Sequence, residues 1–205
     1  MDVRFFTISI FWIILVLQSC QKKENAFEIL LNAQGDSQSF LNSDSLEYNL
    51  YYTRYTPNHE IEDTIFRNIR IQSKQVKSDF SCHPDSIFTS STYALFPFSL
   101  TPLNPLATFI KRDTFENQVY HIYATNYSCQ HNQLIKHTIY CSYLNNQIRS
   151  HLLKMGNTYY RIDVITWQKE GDILFPLRNK IYLSDSLASR KFLWADLIYS
   201  NINFK

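Results

Sequence analysis

Regular alternation of apolar and polar side chains is the feature that most constrains the fold of this 205-residue chain. Along residues 46–53, the even positions are Leu or Tyr and the odd positions are mostly polar. Successive side chains of a β-strand point to opposite faces, so this period of two predicts a strand with one buried face. The same alternation, rich in the aromatic and β-branched residues that sheets favour, recurs at 65–71, 119–125, 135–144 and 160–166.

Turn-forming residues between these segments indicate how the strands pair. Short polar turns at 145–146 and 156–157 bracket the segment 147–154, so the region 135–168 predicts an antiparallel meander of three strands. Many short strands joined by tight turns are typical of a β-sandwich or a lipocalin-like barrel. The sequence therefore predicts a mainly β, antiparallel domain over residues 46–205, built as one of these two architectures.

Two segments depart from the alternating pattern. Prolines at 97, 102 and 105 interrupt the apolar segment 93–106, which argues against a central strand because proline cannot donate to a sheet ladder. This segment would cover one end of the sheet or form an apolar lip at a binding site. Near the C-terminus, four apolar residues share one face of a helix: Leu193, Trp194, Leu197 and Ile198. With Ser184 or Ser186 as its cap, they predict a short C-terminal helix, and a final strand is the competing interpretation.

The first twenty residues have the composition of an export signal. Arg4 precedes an uncharged apolar run, 5–17, which is shorter than the roughly 20 residues of a membrane-spanning helix. The tetrapeptide that follows, Leu-Gln-Ser-Cys at 17–20, resembles the lipobox of bacterial lipoproteins. The alternatives are an ordinary secretory signal with an incidental cysteine, or an uncleaved membrane anchor.

The lipobox resemblance implies a location and an attachment. Residues 1–19 would be a lipoprotein signal peptide, and acylated Cys20 would anchor the mature chain to the outer membrane of a cell envelope, on its periplasmic face or at the cell surface. The polar segment 20–45 would then be the tether between the lipid and the β domain.

Three further cysteines follow Cys20 in the sequence, at 82, 129 and 141. An exported protein can form disulfides, and three cysteines allow one bridge. Cys129 and Cys141 are the preferred pair because both lie at strand-like positions of one predicted hairpin. The alternative is that all three are buried as small apolar side chains.

Six of the eleven aspartates precede a serine or threonine. Four of these pairs, each followed by an aliphatic residue, resemble the O-glycosylation sites of exported Bacteroidota proteins. The resemblance implies exposed acceptors at Ser45, Thr64, Ser86 and Ser186. The alternative is structural, because Asp-Ser and Asp-Thr also mark turns and the starts of helices and strands.

Composition excludes several common functions. Three glycines in the whole chain are too few for a phosphate-binding loop, and a net charge of +2 without a basic cluster argues against nucleic-acid binding. The spacing of Cys and His does not match a zinc site, and no serine has the flanking glycines of a nucleophile elbow. Asp163 is better explained by a cross-strand ion pair than by catalysis. We therefore predict no cofactor, no metal and no catalytic residue.

The expected function is a non-catalytic one at the membrane surface, namely binding, assembly or structural support with an envelope protein as partner. The alternative is a lipocalin-like carrier of a small apolar ligand, suggested by 15 Phe, 14 Tyr and 3 Trp. A hydrolase is a third, more distant alternative, because it would need polar residues that converge in a cleft.

Overall fold

The computed structural model describes residues 45–72, 83–89, 107–128, 134–144, 147–170 and 173–204. The signal peptide, Cys20, the tether up to residue 44, Cys82, Cys129 and the proline-rich segment lie outside the described residues, and Ser45, the predicted end of the tether, is the first residue of a strand.

Nine strands and one short helix occupy the described part of the chain: β1 (Ser45–Tyr55), β2 (Ile61–Gln72), α1 (Pro84–Phe88), β3 (Thr108–Phe115), β4 (Gln118–Ser128), β5 (Leu134–Ser142), β6 (Ile148–Met155), β7 (Thr158–Glu170), β8 (Ile173–Ser184) and β9 (Arg190–Phe204). Among these residues, no helix is both long and apolar enough to cross a membrane.

All nine strands belong to one antiparallel sheet with the order β2-β1-β9-β8-β7-β6-β5-β4-β3. Strands β3 to β9 form a meander, and the β1–β2 hairpin joins it through the pairing of β1 with β9. Within the described ranges, no ladder connects the edge strands β2 and β3, so the sheet is open. The prediction of a mainly β, antiparallel fold is confirmed, and the single sheet corresponds to the barrel alternative left unclosed.

One face of the sheet, here called the inner face, carries the even-numbered residues of β1 and the residues aligned with them. The four even positions from Leu46 to Tyr52 are at most 1% exposed, which confirms the alternation predicted for this strand. The face continues across the ladders, where Tyr52 aligns with Leu197 of β9 and Ile181 of β8 aligns with Ile162 of β7. The opposite face is called the outer face.

The predicted meander at 135–168 is confirmed by β5, β6 and β7. Their inner-face residues Ile135, Leu153, Met155, Tyr160 and Ile162 pack with β1, β8 and β9 in one apolar core. Residues from the middle of the sequence are thus packed against both ends of the described chain.

The predicted C-terminal helix is wrong, because residues 190–204 form strand β9. From Ala195 the alternation is regular, with Ala195, Leu197 and Tyr199 buried on the inner face. A register shift opposite Ile181 places Trp194 against the core next to Ala195. Two neighbouring core residues, Trp194 and Ala195, are followed by a buried residue at every second position. In the sequence, this pattern resembles the spacing of one face of a helix.

Candidate functional site

Two groups of aromatic rings cover the inner face near β1 and β9. The first group is a triangle of Tyr48, Phe175 and Tyr199, whose ring centroids are 5.6 to 5.7 Å apart. All three side chains are at most 2% exposed. Tilted and edge-to-face rings at this spacing stabilise each other beyond the burial of their surface.

The second group lies toward the other end of β1 and includes a ring from α1. Phe88 of the helix contacts Trp194 at 5.6 Å and Tyr160 at 5.7 Å between ring centroids. Trp194 in turn lies 5.2 Å from Tyr160 and 6.2 Å from Tyr52. Phe88 and its neighbour Ile87 are buried, so α1 covers this part of the inner face with two apolar side chains.

Polar contacts to Asp85 also connect α1 to the sheet. The Tyr52 hydroxyl donates to Asp85 Oδ1, and Arg54 Nη1 donates to Asp85 Oδ2 at 2.6 Å. Burial, followed by the bond to Asp85, raises the pKa of Tyr52, which therefore stays protonated as the donor. Arg54 Nε also lies 3.1 Å from Glu62 of β2, so the contact continues to the edge of the sheet.

A buried histidine pair occupies the inner face of β5 and β6. His137 Nε2 and His151 Nδ1 are 3.2 Å apart, and both residues are at most 6% exposed. Burial lowers the pKa of His151 to about 3, and burial together with His151 lowers the pKa of His137 as well. Both rings are therefore neutral at physiological pH. Among the described residues, no set of three His, Cys, Asp or Glu side chains could hold a metal ion.

A charged cluster lies on the outer face, and we call it the Arg161 cluster. Arg161 is 3% exposed and donates to Asp163 at 2.7 Å, to both carboxylate oxygens of Glu116 at 2.8 and 2.9 Å, and to the Ala188 carbonyl at 2.9 Å. Arg190 donates to the same two carboxylates, at 2.6 Å to Asp163 and 3.0 Å to Glu116. Asp163 therefore does form ion pairs, one with Arg161 of its own strand and one with Arg190 of β9, and neither partner lies on a strand adjacent to β7.

The Arg161 cluster holds two turns whose backbone is unusual. Glu116 and Asn117 form the two-residue β3–β4 turn with φ of 49° and 62°, and Ala188 in the β8–β9 turn has φ of 62°. A positive φ is uncommon for residues other than glycine, although asparagine adopts it more readily than most. The hydrogen bonds of Arg161 offset the cost of this conformation at Glu116 and Ala188. The hydrogen bonds of the cluster thus hold both turns against the sheet.

The expected site residues that the structure describes lie on separate elements: Cys141 on β5, Ser45 on β1, Thr64 on β2, Ser86 on α1 and Ser186 in the β8–β9 turn. Cys141 is buried on β5, and burial raises the pKa of its thiol to about 12, while its expected partner Cys129 lies outside the described residues. The disulfide stays a prediction.

The four expected glycosylation sites also stay predictions. Thr64, Ser86 and Ser186 are exposed, whereas Ser45 is 7% exposed at the start of β1. At Ser186, the structural alternative has direct support, because the preceding Asp185 carboxylate accepts hydrogen bonds from the backbone N–H groups of Leu187 and Ser189.

Comparison with known proteins gives distant structural likenesses. No protein-family model matches the chain, and no curated protein matches its sequence. Among solved structures, it is similar to a LolA superfamily protein from Nitrosomonas europaea, with 11% identity and a TM-score of 0.49 over 86% of this chain and 92% of that one.

Two further solved structures are similar at the same level. A domain assigned to outer membrane lipoprotein sorting, from Vibrio parahaemolyticus, has 9% identity and a TM-score of 0.47 over 87% of this chain and 92% of its own. A DUF1329 family protein from Desulfovibrio piger has 5% identity and a TM-score of 0.47 over 87% and 91%.

Proposed function

We propose that this protein is a non-catalytic module of the cell envelope that binds a small apolar or amphiphilic ligand on the inner face of its sheet. The observation that carries the proposal is that only a short helix, α1, packs over the rings of Tyr160 and Trp194 in the described part of the chain. This part of the inner face is covered by Ile87 and Phe88 of a five-residue helix. Flat apolar side chains with few polar groups are what a hydrocarbon ligand requires of its site.

The apolar burial that α1 contributes is small enough for a hydrocarbon ligand to offset. Burial of Ile87 and Phe88 stabilises the helix position by about 1.5 to 3 kcal/mol for each side chain. A hydrocarbon chain gains about 0.8 kcal/mol for each methylene that it buries, so roughly eight methylenes offset the loss of both contacts. A chain of ten or more carbons could therefore replace the two side chains of α1 on the aromatic rings.

Native mass spectrometry of the full-length protein, kept soluble in an amphipathic polymer, tests this proposal with 1-dodecanol as the probe. We expect one dodecanol per chain. Phe88→Ala removes the ring that competes for the site, so it should raise the bound fraction severalfold at the same dodecanol concentration. Phe66→Ala is the matched control, because Phe66 is 56% exposed on the outer face of β2. Absence of an adduct, or equal bound fractions in the two variants, would contradict the proposal.

We also propose that acyl chains on Cys20 attach this module to the membrane. The support is the lipobox-like sequence 17–20 after the apolar run 5–17. Two or three acyl chains would give lasting attachment, whereas one chain binds only marginally. Labelled palmitate should enter the full-length protein and a Cys82→Ala control, but not Cys20→Ala. Equal labelling of all three proteins would exclude acylation at Cys20.

A further inference from the structure

Three buried polar side chains lie on the inner face of three neighbouring strands, β1, β9 and β8. We call Tyr48, Asn179 and Tyr199 the polar triad, and their exposures are 1%, 4% and 2%. The amide N–H of Asn179 approaches the Tyr199 hydroxyl, and this contact lowers the pKa of Tyr199 against the larger rise that burial causes. However, in the part of the chain that the structure describes, neither hydroxyl nor Asn179 Oδ1 has a hydrogen-bond partner of acceptable geometry.

Unsatisfied polar atoms of this kind are rare in folded proteins. Most buried side-chain donors and acceptors are paired, and each unpaired one costs free energy comparable to a lost hydrogen bond. Phenylalanine would fill the positions of Tyr48 and Tyr199 without that cost, next to Phe175 in the same triangle. Three such atoms on neighbouring strands therefore call for a partner that the described residues do not supply.

The position of the polar triad matches the ligand site of the proposed function. Tyr48 and Tyr52 lie on the same face of β1, four residues and about 13 Å apart at the rise of an extended strand. The two aromatic groups thus mark the two ends of one apolar surface. A chain molecule that displaces the side chains of α1 at one end would reach the polar triad at the other.

The electrostatics of the polar triad limit the chemistry of its partner. Burial raises the pKa of both tyrosines, so both hydroxyls remain neutral donors. Among the described residues, no charged side chain contributes to the pKa shift of either tyrosine. A phosphate or carboxylate would lose its water here without gaining a cation, which is strongly unfavourable.

We propose that the polar triad binds the neutral polar end of an amphiphile, such as an alcohol, an ester or an amide, whose hydrocarbon chain lies along the inner face. The hydroxyls of Tyr48 and Tyr199 donate to the ligand oxygen, and Asn179 Oδ1 accepts from the ligand's O–H or N–H. This inference rests on the proposed function and specifies its ligand class.

Three probes with the same chain length separate the two proposals: dodecane, 1-dodecanol and dodecyl phosphate. The full-length protein should bind dodecanol most tightly. Tyr199→Phe and Tyr48→Phe should each weaken dodecanol binding about tenfold and leave dodecane binding unchanged, because only the alcohol loses a hydrogen bond. Tyr51→Phe is the matched control, since Tyr51 lies on the outer face of β1 and is 42% exposed.

The other outcomes are equally informative. Equal binding of all three probes, unaffected by Tyr199→Phe, would overturn the role of the polar triad and leave the apolar site in place. Tighter binding of dodecyl phosphate would overturn the neutral ligand class. Failure of dodecane and dodecanol to bind at all would overturn the proposed function itself.

Thermal unfolding of the ligand-free protein gives an independent check of folding. Tyr199→Phe removes a hydroxyl without a partner, so the melting temperature should stay the same or rise. A clear fall would mean that the hydroxyl is already bonded within the free protein, and it would overturn the inference.

Discussion

Arg161 and Arg190 bind the same two carboxylates but differ in burial, and this difference predicts unequal contributions to stability. The side chain of Arg161 is 3% exposed and that of Arg190 is 44% exposed. Exposed ion pairs typically contribute about 0 to 1 kcal/mol, whereas removal of one partner from a buried pair costs about 3 to 5 kcal/mol. We therefore compare Arg161→Met with Arg190→Met.

The contacts of Arg161 indicate that replacing it lowers the free energy of unfolding by an amount near the lower end of the range for buried ion pairs. In Arg161→Met, Asp163 keeps its 2.6 Å bond to Arg190, and Glu116, which is 41% exposed, regains water. The Ala188 carbonyl loses a donor in a buried place, and the guanidinium no longer stacks over Phe115. We expect a loss of about 3 kcal/mol for Arg161→Met and at most about 1 kcal/mol for Arg190→Met.

Urea denaturation and thermal unfolding of the full-length protein measure this difference. For a chain of this size, 1 kcal/mol shifts the melting temperature by about 2 to 4 °C, so Arg161→Met should melt about 6 to 12 °C lower. Arg190→Met should melt within about 4 °C of the unmodified protein. Equal shifts for the two variants, or a cost below about 1 kcal/mol for Arg161→Met, would refute the view that burial makes Arg161 the dominant member of the cluster.

Two further predictions concern the inner face. Because burial keeps His151 and His137 neutral in the folded state while the unfolded chain gains protons below its usual pKa of 6.5, stability should fall as pH decreases from 6.5. In urea denaturation, protonation of His151 in the unfolded chain should lower the free energy of unfolding by about 1 kcal/mol between pH 6.5 and 5.5. His151→Asn should show a smaller decrease over the same range. A free energy of unfolding that does not change with pH in the unmodified protein would contradict this prediction. Asp85→Asn should lower the free energy of unfolding by only about 1 kcal/mol, because Arg54 keeps its ion pair with Glu62. Urea denaturation at pH 7.5 measures this change. A loss as large as that of Arg161→Met would contradict the prediction.

The sequence predicted those strands whose side chains alternate without interruption. β1 and β5 to β7 follow from period two and from the turns between them, because the alternation shows directly which face is buried. β8 was missed, and Pro176 within it explains why. Pro176 aligns with Trp167 of β7 at a register shift, before the pairing of β8 with β9 begins at Arg178, so the missing N–H removes no bond to β9.

The contacts that define the sites could not be predicted, because they join residues far apart in the chain. Glu116 and Arg161 are 45 positions apart, and Tyr52 and Asp85 are 33 apart. Asp163 could be expected to form an ion pair from its place in an alternating strand. The position of Glu116, however, depends on a turn that brings its carboxylate onto the outer face of β7. Even-numbered tyrosines in β1 predicted a buried face but gave no sign that the hydroxyl of Tyr48 is unpaired there.

Photo-crosslinking tests the central claim of a ligand site on the inner face most directly. A dodecanol that carries a diazirine in its chain is irradiated with the full-length protein, and the modified residues are mapped by mass spectrometry. Crosslinks should fall on Phe88, Trp194 and Tyr52, and excess unlabelled dodecanol should abolish them. Crosslinks confined to the exposed outer-face residues Tyr51 and Phe66, unaffected by competitor, would contradict the account.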